Sequence, residues 1–165
     1  MLRKIGLVLA LLGWATVAQA QKSLGDLAAD AGLDWLAGQW QAVSDRGDAL
    51  SISFTPDLDK NIALVHYKDQ NTESKGIVVV DPSTSEPRYY CGNNQGGYGT
   101  GVWSLEDKKA VLKYKHTAAD GKVTRMGFTF AKVDAETMEL KILELSDQDT
   151  LGTEPRWTAK FKRKK

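Results

Sequence analysis

A chain of 165 residues with a formal net charge of +1, 42% hydrophobic and 26% charged residues, is too polar for a polytopic membrane protein and too apolar for a disordered one. Its size allows one globular domain with a substantial core and leaves no room for separate cofactor and substrate domains, which excludes a two-domain dehydrogenase or kinase.

In chain order, the first element is a segment to be removed. Met1-Leu2-Arg3-Lys4 is a short positive start, Ile5 to Leu12 is apolar apart from Gly6, and Ala18-Gln19-Ala20 is the small-x-small triplet after which a signal peptidase cuts. Residues 1–20 therefore read as a cleaved secretory signal, since the apolar run is shorter than the ~20 residues of a spanning helix. Gln21 stands where lipidation would require Cys. Removing Arg3 and Lys4 leaves 20 basic against 21 acidic residues, a mature net charge of −1. The expected location is periplasmic or secreted, with no transmembrane segment after cleavage.

Residues 21–37 form an N-terminal helical segment in this reading. Leu24, Leu27, Ala28, Ala31 and Trp35 recur at helical spacing, Ser23 is an N-cap, and Gly32 weakens the last turn. From Gly38 the period changes to two and stays there, so residues 38–165 read as one β domain with a basic C-terminal tail. Trp40 and Ala42 share a face, as do Ile52 and Phe54, Leu112, Tyr114 and His116, Met126, Phe128 and Phe130, Met138, Leu140 and Ile142, and Trp157, Ala159 and Phe161. Turn material separates these runs at Asp45-Arg46-Gly47-Asp48, Asp81-Pro82-Ser83, Glu106-Asp107-Lys108, Asp120-Gly121 and Asp134-Ala135-Glu136. The expected fold is all-β, an antiparallel up-and-down barrel of about nine or ten strands with a short N-terminal helix, because closure removes exposed edges. An open, curved sheet wrapped over the helix is the alternative.

Leu36-Ala37-Gly38-Gln39-Trp40 resembles the opening motif of calycin-type barrels, the superfamily of lipocalins and fatty-acid-binding proteins, in which the Trp closes the barrel base. Val80-Asp81-Pro82, Arg88-Tyr89-Tyr90 and the run Asn93 to Trp103 succeed one another as in bacterial lipocalin-like domains of unknown function. The resemblance covers residues 33–163. It implies a barrel that holds one small molecule, with Trp40 at its floor against Trp157 or Phe161.

Several residues invite a chemical role. Asp57-Leu58-Asp59-Lys60-Asn61 begins like a calcium loop but has Ile62 at position six and Lys68 at position twelve, so it fails as one. Gly96-Gly97-Tyr98-Gly99-Thr100-Gly101 offers a nest of amides, yet Val102-Trp103 continues as strand and not as the helix a phosphate loop needs, which favours a hairpin or bulge. Cys91 is the only cysteine and cannot form an intramolecular disulfide. It is either a buried small hydrophobe or a free thiol. No metal or cofactor is implied, because the two histidines and one cysteine lack ligand spacing.

His66 follows Ile62 and Leu64 at period two and His116 follows Leu112 and Tyr114, so both are candidates to point inward and share a cavity with Tyr67, Tyr90 and Arg125. Tyr67, Arg88, Tyr90, Trp103, Tyr114, Arg125, Met126 and Phe128 are the candidate ligand-binding residues. Three function classes follow. One is a secreted or periplasmic binding protein for a small, mostly hydrophobic molecule. The second is an isomerase or cyclase using His66 or His116. The third is an envelope interaction protein with a solid barrel, in which Lys160, Lys162, Arg163, Lys164 and Lys165 make weak contact with an anionic surface. Nucleic acid is not an expected partner, for no wider basic face accompanies the tail.

Overall fold

The computed structural model describes residues 22–43 and 49–165. The expected signal segment and the Asp45-Arg46-Gly47-Asp48 turn lie outside the described residues. Helix α1 runs Leu24–Asp30, and the Ser23 hydroxyl caps it by accepting from the Asp26 amide. It is shorter than its periodicity suggests, because Gly32, at φ +65°, turns the chain and Asp34–Leu36 form a separate 3-10 turn.

Ten strands follow: β1 (Gly38–Val43), β2 (Ala49–Asp57), β3 (Ile62–Lys68), β4 (Glu73–Val80), β5 (Pro87–Asn93), β6 (Tyr98–Glu106), β7 (Lys109–Thr117), β8 (Val123–Lys132), β9 (Thr137–Leu145) and β10 (Leu151–Arg163). Each pairs antiparallel with its neighbour in sequence, and β1 pairs with β10, so the sheet closes into an up-and-down barrel and the open-sheet alternative falls. Among the described residues the connections are short hairpins. Asp107 and Lys108, both at positive φ, make the two-residue link from β6 to β7, a conformation whose twist matches the flanking strands.

The closure is built from side chains as much as from the ladder. Trp40, 1% exposed, pairs in register with Arg163 and lies in one core with Phe161 and Met138. Its indole N–H donates to the Leu36 carbonyl at 2.9 Å, and Trp35 meets its ring edge-on at 6.1 Å. The Arg163 guanidinium lies 4.2 Å from the Trp40 ring centroid and donates to the carbonyls of Ala37 at 2.8 Å and Trp35 at 2.5 Å. Residue 38 must be glycine twice over: its φ is +125°, and a Cβ there would collide with the guanidinium.

The basic C-terminal residues are accordingly not five free charges. Arg163 is a structural staple, Lys162 donates to the Thr137 hydroxyl at 2.6 Å, and the Lys164 amide donates to the Gln39 carbonyl. Trp40→Ala should cost about 3–5 kcal/mol, the usual loss for a buried Trp. Denaturant unfolding checks this, and a variant within about 0.5 kcal/mol of the parent, the range of an ordinary surface substitution, would contradict the staple.

Candidate functional site

Directly opposed residues of an antiparallel sheet present side chains to the same face, so the register assigns every candidate to the interior or the outer wall. Trp103, Leu112, Phe128, Ile142 and Trp157 form one inward row. Tyr89, Gly101, Tyr114 and Met126 form another, and Cys91, Gly99 and His116 a third. Tyr67, opposite Ile52, also points inward.

The remaining candidates do not. Leu64, Ile77, Tyr90, Thr100, Lys115 and Arg125 stand in one outward row, and Arg88, Val102 and Lys113 in the next. His66, opposite Lys75, is also outward, where its Nε2–H donates to Glu73 at 2.8 Å. The Glu73 carboxyl is thereby held below its ordinary range, chiefly by His66 and then by Lys68. The expected cavity shared by His66, His116, Tyr67, Tyr90 and Arg125 is therefore not assembled: Tyr67 and His116 are inside, the other three outside. The physical reason lies in β3, whose two faces are both apolar, so that Ile62 and Leu64 could not reveal which face is buried. Val65 opposite Phe54 decides it.

Inside, the end of the barrel remote from Trp40 is lined by aromatic and polar side chains. The glycine run is a tight turn at Asn93–Gly97 followed by a straight strand. Gly99 is where the Tyr114 ring lies against β6, and a Cβ there would overlap the ring and its hydroxyl. This lets Tyr114 reach Cys91, with Oη and Sγ 3.2 Å apart. Burial, and then the Cys91 neighbour, raises the Tyr114 phenol well above its ordinary value, and Tyr89 is raised for the same two reasons. Both phenols are therefore neutral hydrogen-bonding groups.

His116 stacks on Tyr114 with centroids 6.4 Å apart and meets Asn93 Nδ2 at 3.1 Å. The Asn93 Oδ1 already accepts from the Gln95 and Gly97 amides, so its NH2 group must face the ring. An amide nitrogen only donates. His116 Nε2 is thus the acceptor, the ring proton sits on Nδ1, and the Nε2 lone pair is occupied.

The mouth is laced by its hairpins. Tyr67 donates to Asp69 at 2.6 Å, and the Asn71 and Thr72 amides donate to the same carboxylate. The Glu73 amide donates to Asn94 Oδ1, tying one hairpin to the next. A recess of about 840 Å³ opens here, where among the described residues β1 and β10 are paired at Trp40–Arg163 and Gln41–Lys162. Lys68, Lys160 and Lys162 stand on its rim, and it reaches the inward Ala42 and Leu50. Sequence reasoning missed Asn93 and Asp69. Their signal was an Asx-turn residue at the head of each polar loop.

Among the described residues no three His, Cys, Asp or Glu side chains converge as a metal site would need, and no helix is long and apolar enough to cross a membrane. No protein-family model and no curated protein matches the chain. The closed ten-strand barrel is compatible with a calycin-like fold.

Burial pushes the Asp69 carboxyl up, but the Tyr67 hydroxyl and the two amides outweigh it and hold it below its ordinary value. A depressed carboxylate contributes stability that is complete above the unfolded-state pKa of about 3.9 and is lost as pH falls through the lower folded-state value. The melting temperature of the parent should therefore fall more steeply on acidification below pH ~4 than that of Asp69→Asn. Parallel profiles in calorimetry would contradict the assignment.

Proposed function

We propose that the protein is an exported binding protein that holds one small, mostly apolar molecule in the chamber between Tyr67, Trp103, Tyr114, Phe128 and Trp157. The observation that carries this reading is the contrast between the two ends of the interior. Trp40, Phe54, Phe130, Met138, Leu140 and Phe161 fill the floor and are buried, whereas of the inward aromatics in the other half Tyr89 is buried and Tyr67, Trp103, Tyr114, Phe128 and Trp157 stay only partly buried. An inward-facing aromatic that retains accessible surface is a wall with space beside it, and barrels of this size commonly hold one ligand there. The recess at the β1–β10 seam is the route in.

Residues named for ligand contact divide accordingly. Tyr67, Trp103, Tyr114, Met126 and Phe128 belong to the chamber, and Arg88, Tyr90 and Arg125 do not. Chemistry by His116 is disfavoured because Asn93 occupies its Nε2, and His66 is outside.

Apolar fluorophores or fatty acids should quench tryptophan emission saturably, through Trp103 and Trp157. Phe128→Asp should weaken that binding by more than about tenfold, since it places a charge in an apolar wall. Absence of saturable quenching by any apolar probe would reject the reading. Export is tested separately: intact mass of the mature protein should correspond to a chain beginning at Gln21, and retention of residues 1–20 would refute it.

A further inference from the structure

We propose that the outer wall over β5–β8 carries a second binding site, for a small organic oxyanion such as an aryl phosphate or aryl carboxylate. The side chains that would hold the ligand, Arg88, Tyr90, Lys113, Lys115 and Arg125, face away from the interior, although Gly101 and Tyr114 of the inward rows also border the recess. A recess of about 210 Å³ lies there between the two outward rows, and Arg88, Lys113, Lys115 and Arg125 all border it. Asp149 is the one carboxylate among the described residues that line it.

Lys115 and Arg125 are directly opposed across β7 and β8. Like charges in that position destabilise a sheet; Arg125 is offset by Asp149 and Asp147 and donates its Nε–H to the Ser146 carbonyl, whereas among the described residues Lys115 is not offset in this way. Arg88, Lys113 and Arg125 each have a carboxylate on or beside a turn, in Glu86, Glu106 and Asp149. Among the described residues Lys115 has no ion-pair partner. An oxyanion seated between Lys115 and Arg125 turns their repulsion into shared attraction, and a guanidinium offers it paired donors. Tyr90, opposite Thr100 and 47% exposed, lines the same recess and supplies a flat apolar face for the organic part.

Asp149 is then a placeholder. Its carboxylate takes the Arg125 guanidinium that the ligand would take, and the two compete. Asp149 sits at φ +59°, a conformation that asparagine tolerates better than any residue but glycine, so Asp149→Asn removes the competitor while keeping the side-chain shape of the turn. Loss of a merely structural ion pair would loosen the hairpin and weaken binding. Loss of a competitor tightens it.

The test is titration of the 15N-labelled full chain with phenyl phosphate, benzoate and phenol, at low and at physiological ionic strength. Saturable shifts at the Tyr90, Thr100 and Lys115 amides are expected with one or both anions and not with phenol. The stronger anion identifies the headgroup. Asp149→Asn should tighten binding several-fold, and Lys115→Glu should weaken it about tenfold or more with the melting temperature little changed. Lys115→Gln, a milder variant, should fall between. Equal shifts with phenol, unsaturable shifts spread to the Lys160–Lys165 segment, or no gain in affinity in Asp149→Asn would each overturn the proposal.

Discussion

Closure of the barrel depends on one contact group, the Arg163 guanidinium set over the Trp40 ring and hydrogen-bonded to Trp35 and Ala37. An antiparallel meander joins neighbours through short hairpins at little entropic cost, but the first and last strands are more than a hundred residues apart and must be brought together by something worth their loop entropy. Here a cation, an indole and two carbonyls satisfy one another. The guanidinium is thereby half-buried with both of its terminal nitrogens hydrogen-bonded, which reduces the cost of taking a charge out of water. Gly38 follows from this arrangement, because the space its Cβ would occupy belongs to Arg163.

The staple also explains why the two ends of the barrel differ. It fixes β1 against β10 at Trp40 and Gln41, close to the N-terminal turn, so the interior is packed tightest there. Toward the other end the chain is held by side-chain hydrogen bonds within and between hairpins: Tyr67 to Asp69, Asn94 to Glu73, and Asn93 to His116. Such bonds are individually worth about 1 kcal/mol and are accessible to solvent. Opening that end locally costs less than opening the floor.

Much of this was legible where one face of a strand is apolar and the other is not. Met126, Phe128 and Phe130 alternate with Arg125, Gly127 and Thr129, and the inward set was plain from sequence. In β3 and β4 the outward Ile62, Leu64, Ile77 and Val79 erase the contrast, and the face of His66 could be fixed only by the partner strand. Tyr90 and Arg125 were misplaced for a related reason. Their neighbours Tyr89 and Met126 are equally plausible lining residues, and only long-range register separates them. The role of Arg163 was illegible because four lysines surround it, and a run of charge reads as solvated surface unless the distant Trp40 is known to face it. Gly99 looked like part of a loop because its need is steric and comes from Tyr114 on another strand.

The chemical character of the interior at that end follows from the same packing. Burial keeps Tyr89 and Tyr114 protonated, Cys91 is occupied with the Tyr114 hydroxyl, and the one imidazole inside has its basic nitrogen committed to Asn93. General acid–base catalysis needs a group whose proton affinity lies near the working pH and whose lone pair is free. The raised phenols lack the first and the Nε2 lone pair of His116, engaged by Asn93, lacks the second, while hydrogen-bonding groups on an aromatic wall avoid the desolvation cost of a charge. The guanidinium groups of Arg88 and Arg125 and the His66 ring stand on the outward face of the sheet, away from these interior side chains.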